Sequence, residues 1–154
     1  MKKQVLIRKA RLDETGAMQE LMTRSLVTWG YTKEQNNIFS EYLKVTPEFV
    51  ENSITYIAEI SNEIKGFWGV VPQHEITEAK FYVDPSFIGS GIGTMLWDKV
   101  LAELRQTDLK YFTFLIERSA QGFYEKKGAV KVDEQESKLI KGNPVPVMRY
   151  YLKK

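Results

Sequence analysis

Between Phe81 and Leu104 the chain reads FYVDPSFIGSGIGTMLWDKVLAEL, and this stretch limits the available folds more than any other. Phe81, Tyr82 and Val83 are the aromatic and β-branched residues that strands favour. Asp84-Pro85 stops that strand. Gly89, Gly91 and Gly93 then alternate with Ser90 and Ile92. Beyond them Ile92, Leu96, Val100 and Leu104 recur at every fourth position, with Met95, Trp97 and Leu101 beside them. That is the stripe of an amphipathic helix. The chain must therefore pass from a strand, through a glycine turn, into a helix N-terminus. Such an end leaves amides unpaired and carries a partial positive charge. Glycines let an anion come close to the backbone, so the turn reads as a cradle for a phosphate-bearing ligand. The alternative is a tight turn that needs glycine only for its positive φ.

Two familiar phosphate motifs fit poorly. The dinucleotide fingerprint G-x-G-x-x-G, started at Gly89, would place its third glycine on Thr94. The nucleotide P-loop ends in G-K-[ST], and no such triplet occurs.

A third pattern fits. Val83-Asp84-Pro85, then Gly89-Ser90-Gly91-Ile92-Gly93, then an apolar helix, resembles the acetyl-CoA motif of the GNAT-type N-acetyltransferase superfamily. The later run SAQGFYEKKGA, Ser119 to Ala129, resembles that family's late helix, A-x-x-F-Y-x-K-x-G. The two segments stand in the family's order. The resemblance extends over the whole chain, by element pattern alone in the first half. It implies one domain, residues 1–154, with a mixed α/β (α+β) GNAT fold. That fold is a twisted mixed sheet of about six to seven strands flanked by helices. It also implies an N-acetyltransferase that moves an acetyl group from acetyl-CoA to a primary amine by direct attack in a ternary complex.

Composition agrees with one domain. A chain of 154 residues, 43% apolar, is long enough to bury a substantial core. A net charge of +2 gives no strong attraction to nucleic acid or to an anionic membrane, so neither is expected as a partner. The chain has no cysteine, which excludes disulfides and thiolate chemistry, and one histidine, which argues against a metal site. The N-terminal MKKQVLI is too short in apolar residues for a signal peptide. No run approaches the roughly 18 apolar residues of a membrane span. A cytoplasmic protein is the expectation, and a homodimer stays open.

The elements alternate without linker or repeat. Strands are expected at Val5–Arg8, Thr55–Ile60, Ile64–Val71, Glu75–Val83, Tyr111–Ile116, Val130–Gln135 and Val147–Leu152. Ser61-Asn62-Glu63 joins two of them as a hairpin. Asp13 is placed to cap a helix with Met18, Leu21, Met22 and Leu26 on its apolar face. Thr32 and Gln35 form a capping-box pattern before a helix with Ile38, Phe39 and Tyr42 on one side. Thr46-Pro47 opens a short helix. Ser119 is placed to cap the late helix and Gly128 to end it.

Acetyl transfer to an amine makes definite demands. A lysine-like amine, with a pKa of about 10.4, is mostly protonated at neutral pH and must lose a proton. The carbonyl oxygen gains charge and needs donors. The departing thiolate needs a proton. The resemblance implies that Tyr124, the tyrosine of the F-Y pair, sits near the sulfur and donates it. It implies an acidic residue on the strand before the glycine turn as the base, so Glu75 and Glu78 are the candidates, with Glu59 further out. Thr77 falls where some members carry that glutamate. Strand alternation puts Glu75 and Phe81 on one face and Glu78 on the other, unless a bulge flips the early part. The cofactor side is assigned to Phe81, Val83, Ile88, Gly89, Ser90, Gly91, Gly93, Thr94, Ser119 and Tyr124. Trp29, Tyr31 and Trp68 are candidates for the pocket of a small-molecule or peptide amine. No metal is implied, and His74 reads as an incidental loop residue.

The chain departs from the family pattern twice. Ile88 stands where members carry Arg or Gln to hold the pyrophosphate. Glu117, Arg118 and Ser119 stand where many carry an asparagine that contacts pantetheine. A non-catalytic acyl-CoA-binding or sensor domain on the same fold is therefore the alternative function.

Overall fold

The computed structural model describes residues 4–152. Among them are eight strands: β1 (Val5–Lys9), β2 (Ile54–Ile60), β3 (Glu63–Val70), β4 (Ile76–Thr77), β5 (Ala79–Val83), β6 (Tyr111–Leu115), β7 (Val130–Glu136) and β8 (Pro144–Tyr151). The helices are α1 (Thr15–Leu26), α2 (Lys33–Tyr42), α3 (Pro47–Asn52), α4 (Ile92–Leu104) and α5 (Gln121–Lys126). The strands form two four-stranded sheets, β1-β2-β3-β5 and β4-β6-β8-β7. The fold is the expected mixed α/β arrangement, with one strand more than anticipated.

The extra strand comes from a break. Glu75–Val83 was expected to run as one strand, but it divides at Glu78. β4 pairs in parallel with β6, Ile76 opposite Thr113, while β5 pairs antiparallel with β3, Phe81 opposite Trp68. The chain thus leaves one sheet and enters the other within a single residue. Buried Thr77 marks the junction, donating its hydroxyl to the Val71 carbonyl at 2.5 Å. That bond ties the strand break to the end of β3.

The local signals mostly hold. Ser61 and Asn62, at φ 52° and 65°, make the two-residue turn of the β2–β3 hairpin. Thr32 and Gln35 form the reciprocal capping box of α2, and Thr46 accepts from the Phe49 amide to start α3. Two caps differ. Glu14, not Asp13, receives the Arg11 amide at 2.9 Å before α1, because an intervening 3-10 turn at Leu12–Glu14 shifts the helix start. Ser119 lies inside another 3-10 turn and donates to Glu117 instead of capping α5. Ile38 and Tyr42 of α2 are exposed, so only Phe39 of that face enters the core.

The first sheet is buried on both faces. On one face Phe67 and Ile57 pack with Met18, Leu21 and Met22 of α1 and with Phe39 and Phe49. On the other, Trp68 and Tyr56 pack with Leu96, Trp97 and Val100 of α4 and with Phe112, Phe114 and Met148 of the second sheet. Period-two alternation therefore sends adjacent residues of one strand into two different cores.

Candidate active site

The two sheets meet where β4 of the second runs on into β5 of the first, and then part. β5 lies at the edge of its sheet, and β6 extends past the two residues of β4. Between these edges lies a cleft of about 740 Å³. It runs from Gly89 and Thr94 at one end, past Phe81, Val83 and Tyr124, to Trp29, Tyr31 and Asn143 at the other.

At the first end the glycine turn delivers the chain into α4. Gly89 and Gly91 have φ of 84° and 93°, which side chains with a Cβ rarely adopt, and a Cβ on either would point into open space. Their identity is set by backbone shape. Gly93 is helical, and a Cβ there would make only ordinary contact with Phe81 and Phe123. Asp84 closes the preceding turn by accepting from the Ser86 amide at 3.0 Å. Met95 is the first α4 amide to bond back, to the Gly91 carbonyl at 3.1 Å. The amides of Ile92, Gly93 and Thr94 thus remain at the helix start for an external acceptor. Ile88 is 68% exposed and contributes no charge. Ser90 turns back to bond the Phe87 carbonyl, and neither it nor Ser119 lines the cleft.

A cation does reach this end, from α5. Lys127 donates from Nζ to the Thr94 hydroxyl at 2.7 Å and lies 5.6 Å from the centre of the Phe123 ring. Sequence reasoning missed it. Lys127 occupies an unspecified position of the late-helix motif, and its partner is far away in sequence. Free amides, an open turn and this ammonium suit a pyrophosphate, so the residues present fit acetyl-CoA.

Mid-cleft, Tyr124 is buried and lines the cavity, packed against Phe81, Trp97 and Phe114. Burial pushes its phenol well above the ordinary value of 10, and the neighbouring Tyr82 adds to the shift. Burial does the same to Tyr82. Neither hydroxyl has a hydrogen-bond partner among the described residues. Tyr82 was not anticipated, since alternation places it on the face opposite Phe81. It nevertheless borders the cleft, with its ring stacked 6.0 Å from Trp29.

At the far end Tyr31 donates to Glu117 Oε1 at 2.9 Å and accepts from Asn143 Nδ2 at 3.3 Å. Burial, and then the bond to Glu117, raises the Tyr31 phenol. Trp29 and Tyr31 meet edge to face at 6.4 Å, and both line the cleft as expected. Trp68 does not. It is fully buried between Phe81 and Trp97, at 4.7 and 5.5 Å, and belongs to the core. Glu75 and Glu78 do not line the cleft either. Both are exposed, and Glu78 pairs at 3.2 Å with the buried Lys80. Glu59 is held by Arg8 in a separate cluster. The break at Glu78 is what turned the expected strand face away.

Among the described residues no group of three or more His, Cys, Asp or Glu is placed to hold a metal ion. No helix there is long and apolar enough to cross a membrane.

The fold is shared by many solved structures, and the three named here are distant in sequence. The PaiA N-acetyltransferase from Thermoplasma acidophilum, in complex with coenzyme A, superposes with a TM-score of 0.77 at 16% identity, over 96% of this chain and 99% of that one. A GCN5-related N-acetyltransferase from Rhodopseudomonas palustris gives 0.80 at 18% identity, over 98% of each chain. The ribosomal-protein-S18-alanine N-acetyltransferase from Escherichia coli gives 0.73 at 12% identity, over 98% of this chain and 96% of that one. No curated protein matches the sequence significantly. The family model of the acetyltransferase (GNAT) domain matches residues 51–128, from the end of α3 through the glycine turn to the close of α5. That match takes in both motifs and half the chain, and the surrounding fold agrees with it: the protein belongs to the GNAT acetyltransferase family.

Proposed function

We propose that this protein transfers the acetyl group of acetyl-CoA to a primary amine by direct attack in a ternary complex. The observation that carries the proposal is the continuity of the cleft. One cavity holds the open helix start at Thr94, the unpartnered Tyr124 phenol and the aromatic end at Trp29 and Tyr31. A thioester whose pyrophosphate lies at the first end can present its carbonyl near Tyr124, with the amine arriving from the other.

Each group then has one task. The amides of Ile92, Gly93 and Thr94, with Lys127, hold the pyrophosphate. The unpaired edge of β5 offers backbone groups to the extended pantetheine arm, as sheet edges do for peptides. Tyr124, like any phenol whose value is about 10 or above, is protonated at neutral pH, so it can donate to the thiolate as the carbon–sulfur bond breaks. The amine nitrogen forms the new bond to the acetyl carbon and loses one proton in doing so.

A non-catalytic acyl-CoA sensor on the same fold is the second reading. Uncharged Ile88 favours it, as do the exposed positions of Glu75 and Glu78. Thioester consumption across a panel of amines, with CoA binding measured calorimetrically in parallel, separates the two. Turnover with any amine establishes the transferase. Tight CoA binding without turnover of any amine establishes the sensor.

A further inference from the structure

With Glu75 and Glu78 outside the cleft, two carboxylates line it: Glu117, which is half-buried, and Glu136, which is exposed and accepts from the Gly142 amide at 2.8 Å. The position of Glu117 is fixed from several directions. Oε1 accepts from the Tyr31 hydroxyl at 2.9 Å, and Oε2 accepts from the Ser119 amide at 2.7 Å and from the Ser119 hydroxyl. Asn143 steadies Tyr31 from the loop before β8. A carboxylate has about four acceptor sites, so three donors leave one open, on Oε1. Among the described residues no cation pairs with Glu117. Arg118 and Lys138 border the cleft but are exposed to solvent. Tyr31, bonded to the carboxylate, packs against Trp29 and Phe39, and these line the same cleft with Leu139 as a largely apolar wall. Aromatic faces hold flat apolar bodies and also attract cations.

Resting on the acetyl-transfer reading, we propose that this end of the cleft is the acceptor site, that Glu117 receives the amine, and that the acceptor class is a primary amine on an aromatic or bulky apolar body. An α-amino acid is disfavoured, since its own carboxylate would lie beside Glu117. A long polyamine is disfavoured too, since its inner charges would have to be desolvated against the aromatic wall.

The position also answers the proton question. The bound ammonium first passes one proton through Glu117 to solvent, and the neutral amine then attacks the thioester carbonyl, forming the carbon–nitrogen bond while the carbonyl electron pair moves to oxygen. Nitrogen, now positive, passes its surplus proton to the open Glu117 site. The carbon–sulfur bond then breaks, and the thiolate takes the Tyr124 proton. Glu117 releases its proton and Tyr124 regains one, so the products are the amide and the free thiol.

Calorimetry on the CoA-loaded full chain tests the site apart from turnover. 2-Phenylethylamine should bind at least tenfold more tightly than 2-phenylethanol, its uncharged analogue, and than phenylalanine. Glu117→Gln should remove the preference over the alcohol and leave CoA affinity unchanged. Should that variant fail to fold, Tyr31→Phe removes the hydroxyl that aims the carboxylate and should shrink the same preference. In turnover, 2-phenylethylamine should be acetylated in preference to phenylalanine and spermidine, and Glu117→Gln should both raise KM for it at least tenfold and lower kcat. Equal binding of amine and alcohol would overturn the proposal, as would preferred turnover of spermidine or phenylalanine. Either result would leave the acetyl-transfer reading standing, which fails only if no amine consumes thioester.

Discussion

Tyr124 and Tyr82 are two buried phenols facing one cavity without partners, and their chemistry is testable separately from their packing. Tyr124→Phe keeps the ring contacts with Phe81, Trp97 and Phe114, so fold and CoA affinity should change little. If the hydroxyl protonates the thiolate, kcat should fall by roughly 10–10³-fold. The loss should shrink for an acyl donor with a more acidic thiol, which a purely positional role would not produce. Equal rates for parent and variant would remove Tyr124 from the mechanism. The raised phenols also predict an alkaline response. A group that ionises less readily folded than unfolded contributes its full stability below its unfolded value, here 10, and loses it as pH rises further. Spectrophotometric titration should show four phenols, Tyr31, Tyr56, Tyr82 and Tyr124, that resist ionisation above pH 10, the fully buried Tyr82 and Tyr124 the most strongly. Tyr82→Phe and Tyr124→Phe should each remove one.

The turn into α4 is where backbone shape and ligand chemistry meet. Gly91 has φ 93° with open space around its missing Cβ, so Gly91→Val distorts the turn without striking a neighbour. CoA affinity should fall at least tenfold, about 1.4 kcal/mol, while Gly91→Asn, which tolerates left-handed backbone, should lose less. Unchanged calorimetry for a folded Gly91→Val protein would sink the pyrophosphate assignment. Lys127→Gln should weaken CoA by about tenfold and leave pantetheine unaffected, and Ile88→Arg should recover part of that loss. These elements were legible from the amino acids because their signals are local: a capping pair at Thr32 and Gln35, a four-residue stripe from Ile92, glycines before a helix. The break at Glu78 was not, because it arises from competition between β3 and β6 for one segment. Lys127 was invisible for a similar reason, since only folding brings it to Thr94. Trp68 and Trp29 are both aromatic and near other aromatics in sequence. Only the packing of α4 shows that one is core and the other lines the cleft.

At the scale of the whole molecule, stability and the cleft rest on different residues. Trp68 touches both sheets and α4 through Phe81, Phe112, Phe114 and Trp97. Trp68→Ala should therefore cost about 3–5 kcal/mol in chemical denaturation. The surviving folded fraction should keep its KM for amines, whereas a raised KM would return Trp68 to the acceptor site. The divided strand has one more consequence, in the order of synthesis. All four strands of the first sheet lie between Val5 and Val83, and α4 is finished at Leu104, before any of β6 has been made. β4 belongs to the second sheet, yet it leaves the ribosome with the first and must wait for Thr113 and Phe114 to emerge. An early first sheet would thus carry an unpaired two-residue strand at its border, too short to recruit another chain strongly. The cleft itself comes into being last, after β6 has docked onto that waiting segment and the later residues Glu117, Tyr124 and Asn143 have followed it.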